Sequence, residues 1–182
     1  MTDFFSFNYN LKDMKKIGAL IILAFVAASC LKSEVVSEFT GTETTYALQQ
    51  GSPFAVSGTI TFKERKDGKV GAIIQLTGTD GNTKLPVHLH LGDISTQGAD
   101  VALLMNPVLG ATGKSETTFN KLSDESAIDY MRLTQLPACV KIHLGDTGAD
   151  RDVVLATGNI GSSVAKSPTG GRSSGVALCK SE

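Results

Sequence analysis

A twofold run of alternating apolar and polar residues, closed each time by the same tetrapeptide, limits what this chain can fold into. Val87-His88-Leu89-His90-Leu91-Gly92-Asp93 and Val140-Lys141-Ile142-His143-Leu144-Gly145-Asp146 both end in His-Leu-Gly-Asp, and between them they hold all three histidines of the 182-residue chain. Successive side chains of a strand point to opposite faces, so His88 and His90 share one face while Val87, Leu89 and Leu91 share the other. In the second run Val140, Ile142 and Leu144 form the apolar side, and Cys139, Lys141 and His143 form the polar side. Such strands belong in a sheet with one buried face.

The pattern recurs. Val56, Gly58, Ile60 and Phe62 alternate with polar residues, Asp67-Gly68 turns the chain, and Val70, Ala72, Ile74 and Leu76 line one side of the next strand. Asp80-Gly81-Asn82 supplies another turn whose residues tolerate positive φ. Tryptophan is absent and the chain has 19 glycines, a composition that suits strands and turns. Val101 to Met105 is expected to be a short strand stopped by Asn106-Pro107, since proline cannot donate to a ladder. Ser115–Phe119, Asp152–Ala156 and Gly175–Cys179 complete the strand candidates. One helical signal stands out: Ser123-Asp124-Glu125 reads as an N-cap with acid in the first turn, predicting a short helix over about 124–132 that leads into the apolar stripe Ala127, Ile128, Met131 and Leu133. The expected fold is all-β, an antiparallel sandwich or flattened barrel of about eight strands with one short helix.

The N-terminus reads as an address. Ile17 to Ala28 is uncharged and apolar, with Lys15-Lys16 before it and Ser29-Cys30 after it. It falls short of the ~20 residues a membrane-spanning helix needs, and its length suits the apolar region of a secretory signal. Ala27-Ala28-Ser29 before Cys30 resembles the bacterial lipobox, so residues 1–29 are expected to be a lipoprotein signal peptide, with Met14 an alternative start. Cys30 becomes the lipidated first residue, and the membrane is the partner reached through it. Leu31 stands where an aspartate would signal inner-membrane retention, which points to outer-membrane anchoring in the cell envelope. Residues 30–53, rich in Ser, Glu, Thr, Gly and Gln, read as a flexible tether, with an edge strand beginning at Tyr46 and Leu48 as the alternative, and 54–182 as the folded domain. The chain from Cys30 onward carries 14 Lys and Arg against 16 Asp and Glu, a net charge of −2. That balance excludes a broad basic field for nucleic acid. Export also places Cys139 and Cys179 in an oxidising compartment, where a disulfide between them is expected; the alternative is two cysteines too far apart to bridge.

Over roughly residues 54–160 the chain resembles the chordin-type (CHRD) domain. Val87-His88-Leu89-His90, then Gly98-Ala99-Asp100-Val101, a short helix and Val140-Lys141-Ile142-His143 carry the likeness. Val153-Val154-Leu155-Ala156-Thr157-Gly158 stands where that family has Gly-Glu-Ile-Arg-Gly. A weaker similarity is to copper/zinc superoxide dismutase: His88-Leu89-His90 with Gly92-Asp93 is similar to its paired copper ligands, and His143-Leu144-Gly145-Asp146 to its later copper-ligand segment. Both resemblances imply Greek-key topology. Leu104-Met105-Asn106-Pro107 puts a leucine where the dismutases carry a bridging histidine, and no histidine is left for a zinc subsite.

These readings give two functions. One is an envelope lipoprotein whose domain is a non-enzymatic binding or interaction module, with an envelope protein as partner and the histidines decorating a solvent face beside Lys141. The alternative is a copper- or zinc-binding protein on a dismutase-like scaffold using His88, His90 and His143, since neutral imidazole suits both ions. Asp93 and Asp146 are then candidate second acceptors for imidazole N–H groups, or else turn residues bonding their own backbone. No nucleophile with a base at readable spacing appears, so a catalytic role, if there is one, would be dismutase-like.

Overall fold

The computed structural model describes residues 37–96 and 98–166. Cys30, Cys179 and the strand expected at 175–179 lie outside them. The elements run β1 (Phe39–Gln50), β2 (Ser57–Arg65), β3 (Val70–Thr77), β4 (Lys84–Leu91), β5 (Val101–Leu109), β6 (Lys114–Phe119), α1 (Tyr130–Gln135), β7 (Ala138–His143), α2 (Gly148–Asp152) and β8 (Val154–Ile160), with a 3₁₀ segment at Gly161–Lys166. All neighbouring strands are antiparallel, and they close into one barrel in the order β1-β2-β3-β6-β5-β4-β7-β8. Strands β4, β5 and β6 are adjacent in sequence and space, while β3 returns to lie beside β6 and β7 returns to lie beside β4. Each return makes a Greek key. The fold is therefore the all-β, eight-stranded flattened barrel expected, with two short α-helices rather than one.

Alternation explains the interior. Leu48, Ile60, Phe62, Ile74, Val87, Leu89, Val140 and Ile142 meet in one apolar core, each almost without solvent exposure. Burial of a side chain of this size contributes roughly 1.5–3 kcal/mol. Glycine is needed where backbones approach closely: a Cβ on Gly158 would strike the Ala47 carbonyl, at the place where β8 meets β1 and closes the barrel.

Four expectations need correction. First, the segment expected to be a tether supplies β1, which pairs with β2 from Phe39 to Leu48 and with β8 at Gln49 and Gln50. Its threonines favour extended backbone, and Tyr46 packs edge-on against Phe62 with ring centroids 6.0 Å apart. Second, β5 runs through Pro107. Its backbone pairs with β6 at Leu109 and Lys114, and side chains close the rest of that seam: Asn106 Nδ2 donates to the Glu116 carbonyl (2.7 Å) and Ser115 Oγ to the Asn106 carbonyl (2.6 Å). A proline is tolerated because its missing N–H was not needed for a ladder bond.

Third, the helix begins at Asp129, not at Ser123. Asp129 Oδ1 accepts from Arg132 N at 2.8 Å, the N-cap bond, and α1 buries Tyr130 and Leu133. Asp124 instead accepts from Ser126 N and Oγ, with Glu125 at φ +65°, which is a tight turn. Fourth, the polar sides of β4 and β7 are not solvent faces. Every residue of β7 and every residue of β4 from Leu85 to His90 is buried, including Lys141 at 1 % exposure. Among the described residues no helix is long and apolar enough to cross a membrane.

Candidate metal centre

The β4–β7 ladder brings the two histidine runs side by side. His88 lies directly opposite Lys141, and His90 directly opposite Cys139. Directly opposed residues share a face, so both β4 histidines stand with Cys139 and Lys141 on the outer side of the barrel wall. A register shift between Ile142 and His143 where β7 meets β8 adjusts the end of β7 beside them.

Among the described residues, two connections reach over this outer face. Gly92 takes φ +90°, and the chain turns there into the loop before β5; its amide bonds the Pro137 carbonyl at 2.7 Å. Ile94 N is held by Asn159 Oδ1 (2.8 Å), and Ser163 Oγ reaches the Gly92 carbonyl (3.2 Å). That loop delivers the Ala99 carbonyl to His90 Nδ1 at 2.9 Å. The connection between β7 and β8, which contains α2, delivers the Arg151 carbonyl to His143 Nδ1 at 2.7 Å. A carbonyl oxygen can only accept, so both Nδ1 atoms carry the proton. Each ring therefore keeps Nε2 as its lone-pair nitrogen.

The three rings converge. Their centroids are 4.7 Å apart for His88 and His143, 5.8 Å for His88 and His90, and 6.4 Å for His90 and His143. One ring nitrogen from each lies within 4.8 Å of the others. Ligands 2.0–2.1 Å from a tetrahedral zinc sit about 3.3 Å apart, a gap that small ring rotations close. His90 and His143 have no solvent exposure and His88 has 8 %. Burial, first among the causes, pushes His90 and His143 down to about 4, and the neighbouring imidazoles and Lys141 push the same way. His88 is also lowered, by burial and then by the Arg151 charge, with Asp146 acting against them. All three rings are neutral near neutral pH, the state in which imidazole binds metal.

His88 differs from the other two in one respect: its Nδ1 is buried with no hydrogen-bond partner among the described residues. An orphan ring nitrogen beside two oriented imidazoles fits a metal ligand set. A cavity of about 210 Å³ opens next to it, lined by Lys84, Pro86, His88, Leu104, Pro107 and Asp146 among others.

The two aspartates part company. Asp93 Oδ1 accepts from Ser95 N (2.8 Å) and Ser95 Oγ (2.5 Å), organising the turn after Gly92, and the Nδ1 protons of His90 and His143 go to carbonyls rather than to either carboxylate. Asp146 lies at the mouth beside His88. Cys139 is buried in β7, and the other half of its expected disulfide, Cys179, lies outside the described residues. The Ala99 and Arg151 carbonyls left no mark in the sequence, because any residue supplies a carbonyl. Comparison with family models, curated proteins and solved structures found no match.

Proposed function

We propose that this barrel is a metal-binding domain that holds one copper or zinc ion through His88, His90 and His143. The observation that carries the reading is the convergence of three buried, neutral imidazoles within 4.8 Å, two of them fixed by backbone carbonyls. His90 and His143 would bind through Nε2, and His88 through its orphan Nδ1. The protein contributes a rigid, water-poor seat on two central strands, and the second hydrogen bond of each fixed ring sets its orientation. A bound ion would supply Lewis acidity, and copper would add one-electron chemistry. The Greek-key strand order and the spacing of the histidines also support the resemblance to the chordin-type and superoxide dismutase folds. With Leu104 in place of the bridging histidine, the reading extends to a single ion and not to a two-metal centre.

Lys15-Lys16, the apolar run from Ile17 to Ala28, and Ser29-Cys30 support display of this domain as an envelope lipoprotein. The test of the metal reading is titration of metal-free protein with Cu²⁺ or Zn²⁺, following bound metal and melting temperature together. Wild type should take up one ion and gain stability, by about 2.7 kcal/mol once free metal is 100-fold above Kd. Both responses should vanish in His90→Ala and His143→Ala. Stoichiometric binding retained by both variants would sink the assignment.

A further inference from the structure

We propose that ions reach and leave the three-imidazole cluster past Leu104, with His88 as the ligand that moves at each exchange. The inference rests on the metal-binding reading above. Its basis is an asymmetry among the three rings. His90 and His143 are each pinned by an Nδ1–H bond to a carbonyl and lie beneath the segments that carry Ala99 and Arg151. Among the described residues His88 has neither restraint: its Nδ1 has no hydrogen-bond partner there, and the ring lines the cavity of about 210 Å³ that opens at the surface. A ring without a hydrogen bond can rotate at lower cost than a ring that must break one.

Leu104 occupies the threshold of that opening. In the β4–β5 ladder it lies directly opposite His88, so its side chain stands on the same outer face. On the other flank His88 is opposite Lys141, which is 1 % exposed and closes the β7 side. Leu104 is 66 % exposed, so it fills no core position and a change there leaves the barrel's packing alone. The charges at the mouth are mixed, Lys84 with Asp146, and Arg151 and Asp146 act on His88 with opposite sign. Arg151 outweighs Asp146 there, so charge does not draw a cation inward, and steric screening by Leu104 is the control on the route. A screen of this kind changes uptake and release by the same factor and leaves affinity unchanged, because it alters the path and not its end points.

The experiment uses the full-length protein in detergent with Zn²⁺ as the probe, comparing wild type, Leu104→Ala and Leu104→Trp. Release is followed by transfer to an excess of a chromophoric chelator, uptake by rapid mixing, and affinity by competition; melting of the metal-free forms checks that the fold is kept. The expected order for both rates is Ala, then Leu, then Trp, several-fold at each step, at constant affinity. Any other order, or a change confined to one direction of exchange, overturns the route past Leu104. A wild type that takes up neither zinc nor, in the same mixing experiment, Cu²⁺ overturns the metal reading itself, whereas uptake at equal rates in all three proteins removes only the gate.

Discussion

At the scale of the residue, the two β4 histidines face the same way and yet should respond oppositely to substitution. His90 is fully buried and its Nδ1–H satisfies the Ala99 carbonyl, so an apolar replacement strands that carbonyl. His88 has a buried Nδ1 with no hydrogen-bond partner among the described residues. Leaving a buried group unpaired costs about 1–3 kcal/mol, whereas removing an already unpaired one is neutral or favourable. In metal-free protein His90→Leu should therefore lower stability by about 1–3 kcal/mol, and His88→Leu should leave it unchanged or raise it, as measured by urea unfolding. Equal losses in both would contradict the geometry. The same burial sets a pH dependence. His90 and His143 titrate near 4 when folded and near their ordinary value of about 6.5 when unfolded. The unfolded chain therefore binds more protons between those values, and the stability of the metal-free protein should be full above pH ~6.5 and decline as pH falls toward ~4. A flat unfolding midpoint from pH 7 to 4.5, once carboxylate effects are matched with a His90→Gln, His143→Gln control, would contradict it.

At the scale of the element, alternation made the strands legible and left hidden what covers them. The period of two told which residues share a face, and Val87, Leu89, Val140 and Ile142 do point into the core. It could not tell that the opposite face is covered as well, because the cover comes from connections whose sequences carry no periodicity. His88, His90, Lys141 and His143 thus read as a solvent face and are buried. Proline in β5 misled for a related reason, since side chains of Asn106 and Ser115 replace backbone bonds along that seam. Ser123-Asp124-Glu125 and Ala127-Ile128-Asp129 both offer a cap ahead of apolar residues, and only the second leads to Tyr130 and Leu133 packed inside. Asp129→Ala should accordingly cost about 0.5–2 kcal/mol in thermal or denaturant unfolding, the ordinary worth of an N-cap, and Ser123→Ala much less. The reverse ranking would restore the earlier helix.

At the scale of the whole molecule, β1 brings the barrel close in sequence to Cys30, the proposed anchor. With β1 starting at Phe39, eight residues, and so nine Cα–Cα steps, separate the first strand from Cys30. At most 3.3–3.6 Å of chain per residue, their contour length is about 30 Å, so a lipid on Cys30 would hold the barrel within roughly one bilayer thickness of the membrane surface. Two acyl-type signals are needed for stable anchoring of a soluble domain, and lipoprotein maturation is the route by which one cysteine acquires several chains. The charge balance from Cys30 onward, with 14 basic against 16 acidic residues, offers no electrostatic substitute for them. Cys30→Ala should therefore abolish palmitate incorporation and move the protein out of the membrane fraction, while the metal-dependent rise in melting temperature persists, because all three proposed ligands come from β4 and β7. Palmitate labelling that continues in Cys30→Ala would refute the anchor. Loss of the metal response in the same variant would show that the N-terminal segment, and not the barrel wall alone, completes the site.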